Sequence, residues 1–303
     1  MSSKKNYYEI LGVDSKATAD EIKKAYQKED ALRKSFNELS EKTFGLNFEK
    51  WYQSGFWQEK YIPYSVIKDN QVIANVSVNI MDMYVNGEEK HYIQLGTVMT
   101  DEAYRNQGLS RLLMDEIMKD YKETDIYLWG NDTVEEFYPK FGFIPSKEYQ
   151  LKKAVKITDG KIAVSVPMET KEQWNQLAEA ILNSAPNCAF EMNNLGLWMF
   201  YIVNFMGECV YYVKELDAYV IAEISENNLE LLGVFSKEKV DVEQVINAFG
   251  SEIETVSLGF TPYNKEGYTE EEISQEDSHF FVMGKDMEAF AGEHKMFPNL
   301  SHA

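Results

Sequence analysis

The chain has 303 residues, 44% hydrophobic and 14% aromatic, which excludes disorder and is enough for two ordinary domains with sizeable cores. Thirty basic against 50 acidic residues give a net charge of −20; this argues against a nucleic-acid partner, which would need basic surface, and is compatible with a cationic small molecule. Only Cys188 and Cys209 occur, with no CxxC, so neither a disulfide framework nor a thiolate metal site is expected, and the cytoplasm is the expected compartment.

MSSKKNYYEI lacks the apolar core of a secretory signal. For residues 6 to 13 the sequence leaves helix and strand both open. DALRKSFNELSEKTFG puts Leu32, Phe36 and Leu39 on one helical face and ends at Gly45, a C-cap candidate. FEKWYQSGFW reads as a second short helix. IPYSVIK, VIANVSVNIMDMYV and KHYIQLGTVMT read as strands, the last two joined by Asn86-Gly87, a strong hairpin signal. A helix begins near Gly108, with Leu109, Leu112, Leu113 and Ile117 at helical spacing. DIYLWG follows as a short buried strand, then a helix around TVEEFYPKF, then GFIPSKEYQL as further strand. The expected class is mixed α/β, with helices on the faces of a mixed sheet.

LGLWMFYIVNFMGECVYYV, residues 195 to 213, comes nearest to a membrane span. Asn204, Gly207 and Glu208 interrupt it, so buried core is expected and no membrane partner. CVYYVKELDAYVIAEI then reads as a hairpin, turning at Asn227-Asn228 into LELLGVFS, which matches IQLGTVMT in composition and place. A helix VEQVINAF and a strand EIETVSLGF complete what reads as a second copy of one fold. After Ser236 the chain has neither glycine nor arginine loop, so a second phosphate site is not expected.

The functional signal lies between the strand ending in VMT and the helix after Gly108. A strand that turns through a small-residue loop into a helix points free N–H groups outward. With the helix dipole, they form an anion site suited to phosphate. VMTDEAYRNQGLSRLL, followed by YLWGNDTVEEFYPKFGF, resembles the GNAT superfamily of acetyl-CoA-dependent N-acetyltransferases. The family signature Arg/Gln-x-x-Gly-x-Gly/Ala reads here Arg105-Asn106-Gln107-Gly108-Leu109-Ser110, with serine in the last small position. Phe137-Tyr138-Pro139-Lys140-Phe141-Gly142-Phe143 looks like the Tyr-x-x-x-Gly-Phe signature. The resemblance covers roughly residues 30 to 155 and, more weakly, the second half. It implies a GNAT acyl-CoA N-acyltransferase fold with a degenerate second half, and domains at 29–155 and 156–303.

The resemblance further implies acetyl-CoA as cosubstrate and no metal. Cofactor contacts fall on Arg105, Asn106, Gln107, Gly108, Leu109, Ser110 and Asn131, with the backbone of Val98 and Thr100 pairing the pantetheine arm. Gly96 is the expected bulge that splays this strand from DIYLWG. Tyr138 matches the tyrosine acid, and the acceptor is a small-molecule or peptide primary amine attacking directly. Asp101, Glu102 and His91 flank the strand without standing out as a base; His279, His294 and His302 are too scattered for a metal site.

Two intact-and-degenerate copies resemble Eis-like acetyltransferases, here without a third domain. Those enzymes use their terminal carboxylate beside the tyrosine. By that analogy the Ala303 carboxylate or the His302 imidazole is a candidate base; the apolar residues of the tail MFPNLSHA are expected to dock it, either in the cleft between the halves or in a groove on the second half. The alternative function is a non-catalytic acyl-CoA-binding or sensing protein of the same fold. Residues 6 to 26, NYYEILGVDSKATADEIKKAY, resemble the first two helices of a J-domain, giving an extension at 1–28. Its His-Pro-Asp loop is absent, which argues against an Hsp70 partner.

Overall fold

The computed structural model describes residues 30–158, 160–274 and 276–302; the J-like stretch and Ala303 lie outside them. Helix α1 (Asp30–Phe44) buries Leu32, Phe36 and Leu39 and ends at Gly45, whose φ of 69° only glycine adopts cheaply. Arg33, 6% exposed, ties it to α2 (Glu49–Ser54) through Glu49 at 2.9 Å and stacks on the Tyr52 ring. Strands β1 (Tyr61–Lys68), β2 (Gln71–Val85) and β3 (Glu88–Thr100) form an antiparallel meander. Asn86 and Gly87 both sit at positive φ in its second turn, as a tight hairpin requires. Helix α3 (Leu109–Asp120) crosses back over the sheet to β4 (Ile126–Gly130), which pairs parallel to β3.

Two expectations differ from the structure here. TVEEFYPKF forms two 3₁₀ turns, Asp132–Val134 and Tyr138–Phe141, and no α-helix. Pro139 lacks the N–H that a continuous α-helix would need at that position. GFIPSKEYQL breaks into β5 (Ile144–Ser146) and β6 (Tyr149–Ala154), which enter different sheets.

The remaining elements are β7 (Val164–Ser165), α4 (Lys171–Leu182), β8 (Phe190–Met192), α5 (Leu195–Asn204), β9 (Val210–Val213), β10 (Ala218–Ser225) and β11 (Asn228–Ser236). They continue with α6 (Val242–Asn247), β12 (Thr255–Leu258), β13 (Thr269–Glu272), β14 (His279–Met283) and α7 (Lys285–Gly292). The run read as buried core is helix α5 followed by β9, and among the described residues no helix is long and apolar enough to cross a membrane.

The first sheet runs β1-β2-β3-β4-β14-β5, with β8 against the end of β2; the second runs β13-β6-β12-β11-β10-β9-β7. The halves therefore exchange a strand. β14, from near the end of the chain, inserts between β4 and β5, and β6 inserts between β12 and β13. A cut at residue 155 thus leaves the first sheet holding two strands from beyond it, β8 and β14, and the second sheet holding one from before it, β6. Within the second sheet β9-β10-β11 is an antiparallel meander and β12 lies parallel to β11, the arrangement of β1 to β4.

Candidate active site

The first sheet opens where β3 and β4 part. They pair from Ile93 with Ile126 to Leu95 with Leu128 and no further. At that point the β2–β3 register slips: Ser77 faces Gly96 and Asn75 faces Met99, so Thr97 and Val98 stand opposite Val76 alone. This is a β-bulge, with Thr97 at φ 47°. It lies one residue beyond the glycine expected to mark it, and it leaves Val98 out of the β2 ladder.

A buried polar network holds the bulge. The Asn75 amide donates to the Thr97 carbonyl and to Ser77 Oγ, each at 2.9 Å, and its oxygen accepts from Ser65 Oγ at 2.7 Å. Tyr61 joins through Ser77 Oγ at 2.9 Å and Thr97 Oγ1 at 2.8 Å. None of these residues was singled out in the sequence. The signal was there, since Asn75, Ser77 and Asn79 recur with period two in an otherwise apolar strand. Replacing Asn75 by Leu strands three buried partners. Urea unfolding should show a loss of roughly 2–4 kcal/mol.

The loop after β3 is placed as the sequence suggested. Asp101 caps a 3₁₀ turn at Glu102–Tyr104, Asn106 and Gly108 take φ of 60° and 81°, and α3 starts at Leu109. Among the described residues, nothing accepts from the N–H groups of Asn106, Gln107, Gly108, Leu109 or Ser110. A Cβ on Gly108 would meet open space, so the cradle is unobstructed. The Arg105 side chain is exposed, reaching back to the Thr100 carbonyl at 3.3 Å, and Ser110 Oγ lies 2.9 Å from Thr100 Oγ1. The Asn131 oxygen accepts from the N–H and hydroxyl of Thr133, which shapes the turn leading to Tyr138.

Tyr138 is 2% exposed among Phe137, Phe143 and Phe281. Its ring lies over Gly130 at the end of β4; a Cβ there would stand 2.8 Å from the ring edge, so only glycine fits. Among the described residues its hydroxyl has no hydrogen-bond partner, and burial pushes its pKa up to about 12.

Tyr138 packs on the α3 side of the sheet, with Leu109, Leu113 and Met114. The opposite side carries a cavity of about 320 Å³. The stretch from the end of α1 through α2 supplies Phe44, Leu46, Phe48 and Trp51, and the sheet supplies Tyr61 and Thr97. Leu197, Phe200, Tyr201 and Phe205 come from α5 and its end, and His302 from the tail. Thr97 thus belongs both to the bulge and to the cavity wall.

The tail is docked. Met296, Phe297 and Leu300 are buried, Tyr201 donates its hydroxyl to the His302 carbonyl, and the His302 ring stacks on Trp129 with centroids 3.5 Å apart. Loss of water around that ring pushes its pKa down to about 3. It is neutral at every physiological pH and a poor proton acceptor, because an efficient base has a pKa near the working pH. His302→Phe, which keeps a stacked ring and removes both nitrogens, should therefore leave kcat within about threefold of wild type in a steady-state assay.

The other sequence candidates are occupied elsewhere. His91 pairs with Asp82 at 2.5 Å near the far end of the hairpin. Asp101 accepts from the Ala103 N–H and from Lys42, both of which hold its carboxyl below the usual range. His279 meets Asp132, and His294 meets Glu270 and the Tyr149 ring.

The second sheet also has a bulge, with Leu232 unpaired beyond Leu231, but its open edge is filled. Asn187 donates to the Val234 carbonyl at 3.3 Å, Ala185 to the Ser236 carbonyl at 2.9 Å, and the Ser236 N–H donates to Ser184 Oγ at 3.1 Å. The side-chain oxygen of Asn187 also takes the Val240 N–H, in the loop that replaces the glycine turn.

Residues 15–145 match the family model described as an acetyltransferase (GNAT) domain, starting inside the segment read as a J-like extension. No curated protein matches the sequence. Among solved structures, a conserved protein of unknown function from Enterococcus faecalis, described as a probable N-acyltransferase, aligns with a TM-score of 0.53 at 12% identity, covering 85% of this chain and 71% of its own. A GCN5-related N-acetyltransferase from Kribbella flavida gives 0.50 at 14%, covering 82% and 67%. Another from Anabaena variabilis gives 0.50 at 12%, covering 82% and 69%. The fold is the GNAT fold, and within it residues 15–145 are the part that matches the GNAT acetyltransferase domain model.

Proposed function

We propose that this chain, whose residues 15–145 carry a GNAT acetyltransferase domain, moves the acetyl group of acetyl-CoA to a primary amine by direct attack. The observation that carries the reading is the bulge at Thr97, which opens β3 from β4 beside a loop of unpaired N–H groups. The pyrophosphate binds at Asn106 to Ser110, where the N–H groups and the α3 dipole favour anions and Arg105 adds a mobile positive charge. The pantetheine amides pair with the freed edge of β3 at Val98 and Thr100, which sets the thioester in the gap. Asn131 holds the turn that carries Tyr138.

The amine nitrogen then attacks the thioester carbon, the C–S bond breaks, and Tyr138 donates a hydrogen bond to the sulfur as negative charge develops there. Calorimetry with acetyl-CoA, followed by thiol release against an amine panel, tests the proposal. Binding with no thiol release across the panel would instead make the chain an acyl-CoA sensor. That reading draws on the lack of any carboxylate among the described residues that line the cavity at the bulge.

A further inference from the structure

We infer that the acceptor is a monoamine with an apolar body of about one ring, seated in the cavity against α1, α2 and α5; this rests on the acetyltransferase reading above. The cavity wall is Phe48, Trp51, Leu197 and Phe200, and among the described residues that line it none is charged. A polyamine or amino sugar would bury several cations or hydroxyls there with nothing to pair them. At about 320 Å³ the cavity stands at the small end of ligand pockets, which run from about 300 to 1,000 Å³. It suits a ring on a short alkyl arm.

Its position fits an acceptor. Thr97 in its wall is the bulge residue, so a nitrogen beside it would meet a thioester held in the gap from the face opposite Tyr138. Phe44 and Phe205 in its wall are 45% and 58% exposed, which leaves the cavity open to a ligand that arrives independently of the cofactor. The acidic surface, at a net charge of −20, concentrates cationic amines near that opening.

The same walls favour loss of the ammonium proton without a base among the described residues that line them. An alkylammonium in water has a pKa near ~10.4, and burial against apolar walls without a counter-charge lowers it. The ammonium releases its proton to solvent as it enters. The neutral nitrogen attacks, C–N forms as C–S breaks, and the second nitrogen proton leaves as the amide forms. The departing thiolate is neutralised from solvent, so acetyl-CoA and ammonium give amide, thiol and one proton.

The test uses the full chain with 2-phenylethylamine and spermidine as acceptors. We expect kcat/KM at least about 100-fold higher for phenylethylamine. Phe205→Lys, at the exposed mouth where folding is not at stake, should raise its KM about tenfold and leave acetyl-CoA affinity unchanged. Calorimetry of phenylethylamine into CoA-saturated protein, wild type against Phe205→Lys, reads the cavity even without turnover. A protein that binds the amine but never releases thiol would sink the acetyltransferase reading and keep the cavity assignment. Preference for spermidine, or equal phenylethylamine affinity in wild type and variant, would overturn the inference. So would a variant defect confined to octanoyl-CoA, which would make the cavity an acyl-chain site.

Discussion

Gly108→Glu is expected to abolish the proposed acetyl-CoA binding: a titration should detect no heat where wild type gives a full isotherm, while the far-ultraviolet spectrum stays unchanged. Two costs add. Gly108 sits at φ 81°, where a residue with a Cβ is strained by roughly 1–2 kcal/mol. The larger cost is electrostatic and steric, because the new carboxylate projects into the open space over the N–H groups that the pyrophosphate would use. Gly108→Ala separates the two. Its methyl meets nothing within 4 Å, so it should lower stability slightly and keep most of the affinity. Near-normal affinity in the glutamate variant, with the fold intact, would contradict the placement of the phosphate.

The loop was legible because its signal is local. A strand, one glycine at positive φ and a helix with periodic leucines occupy about twenty consecutive residues, and each piece reports on its neighbours. The same holds for the Asn86-Gly87 hairpin and for the C-cap at Gly45. The helix α4 was equally legible yet passed over: Thr170 and Gln173 form a full capping box ahead of Leu177, Ala178 and Ile181.

The strand exchange was not legible, for a physical reason. β6 and β14 are short, and the alternation that makes them strands is the same whichever sheet receives them. Phe281 completes the cluster around Tyr138 from more than a hundred residues away, and no local pattern announces that. The cavity is hidden likewise. Its walls come from α1 and α2, two strands, α5 and the tail, and each contributing aromatic reads as ordinary core in its own segment. The region between the halves, one of the two places where the tail was expected to dock, is where α5, His302 and the first sheet meet around that space.

Tyr138→Phe should lower kcat by roughly 10²-fold while acetyl-CoA affinity changes less than twofold, the pattern of a contact made only in the transition state. The ring has its full set of neighbours in Phe137, Phe143, Phe281 and Gly130, and the phenylalanine keeps all of them. Only a hydroxyl without a protein partner is lost, so stability should hold or rise slightly. Burial also fixes how that hydroxyl works. With its pKa pushed up to about 12 it stays protonated throughout the neutral range, ready to donate. A free thiol ionises near ~8.5, so complete transfer of the phenol proton to the sulfur would be uphill by roughly 5 kcal/mol. The group therefore stabilises the thiolate by hydrogen bonding, and solvent completes the protonation. The pH profile checks this. Because the pKa is raised, activity should not fall through loss of the Tyr138 proton until pH approaches 12. A descending limb near pH 9 that disappears in Tyr138→Phe would show a phenol far more acidic than its surroundings allow, and would overturn this account of its role.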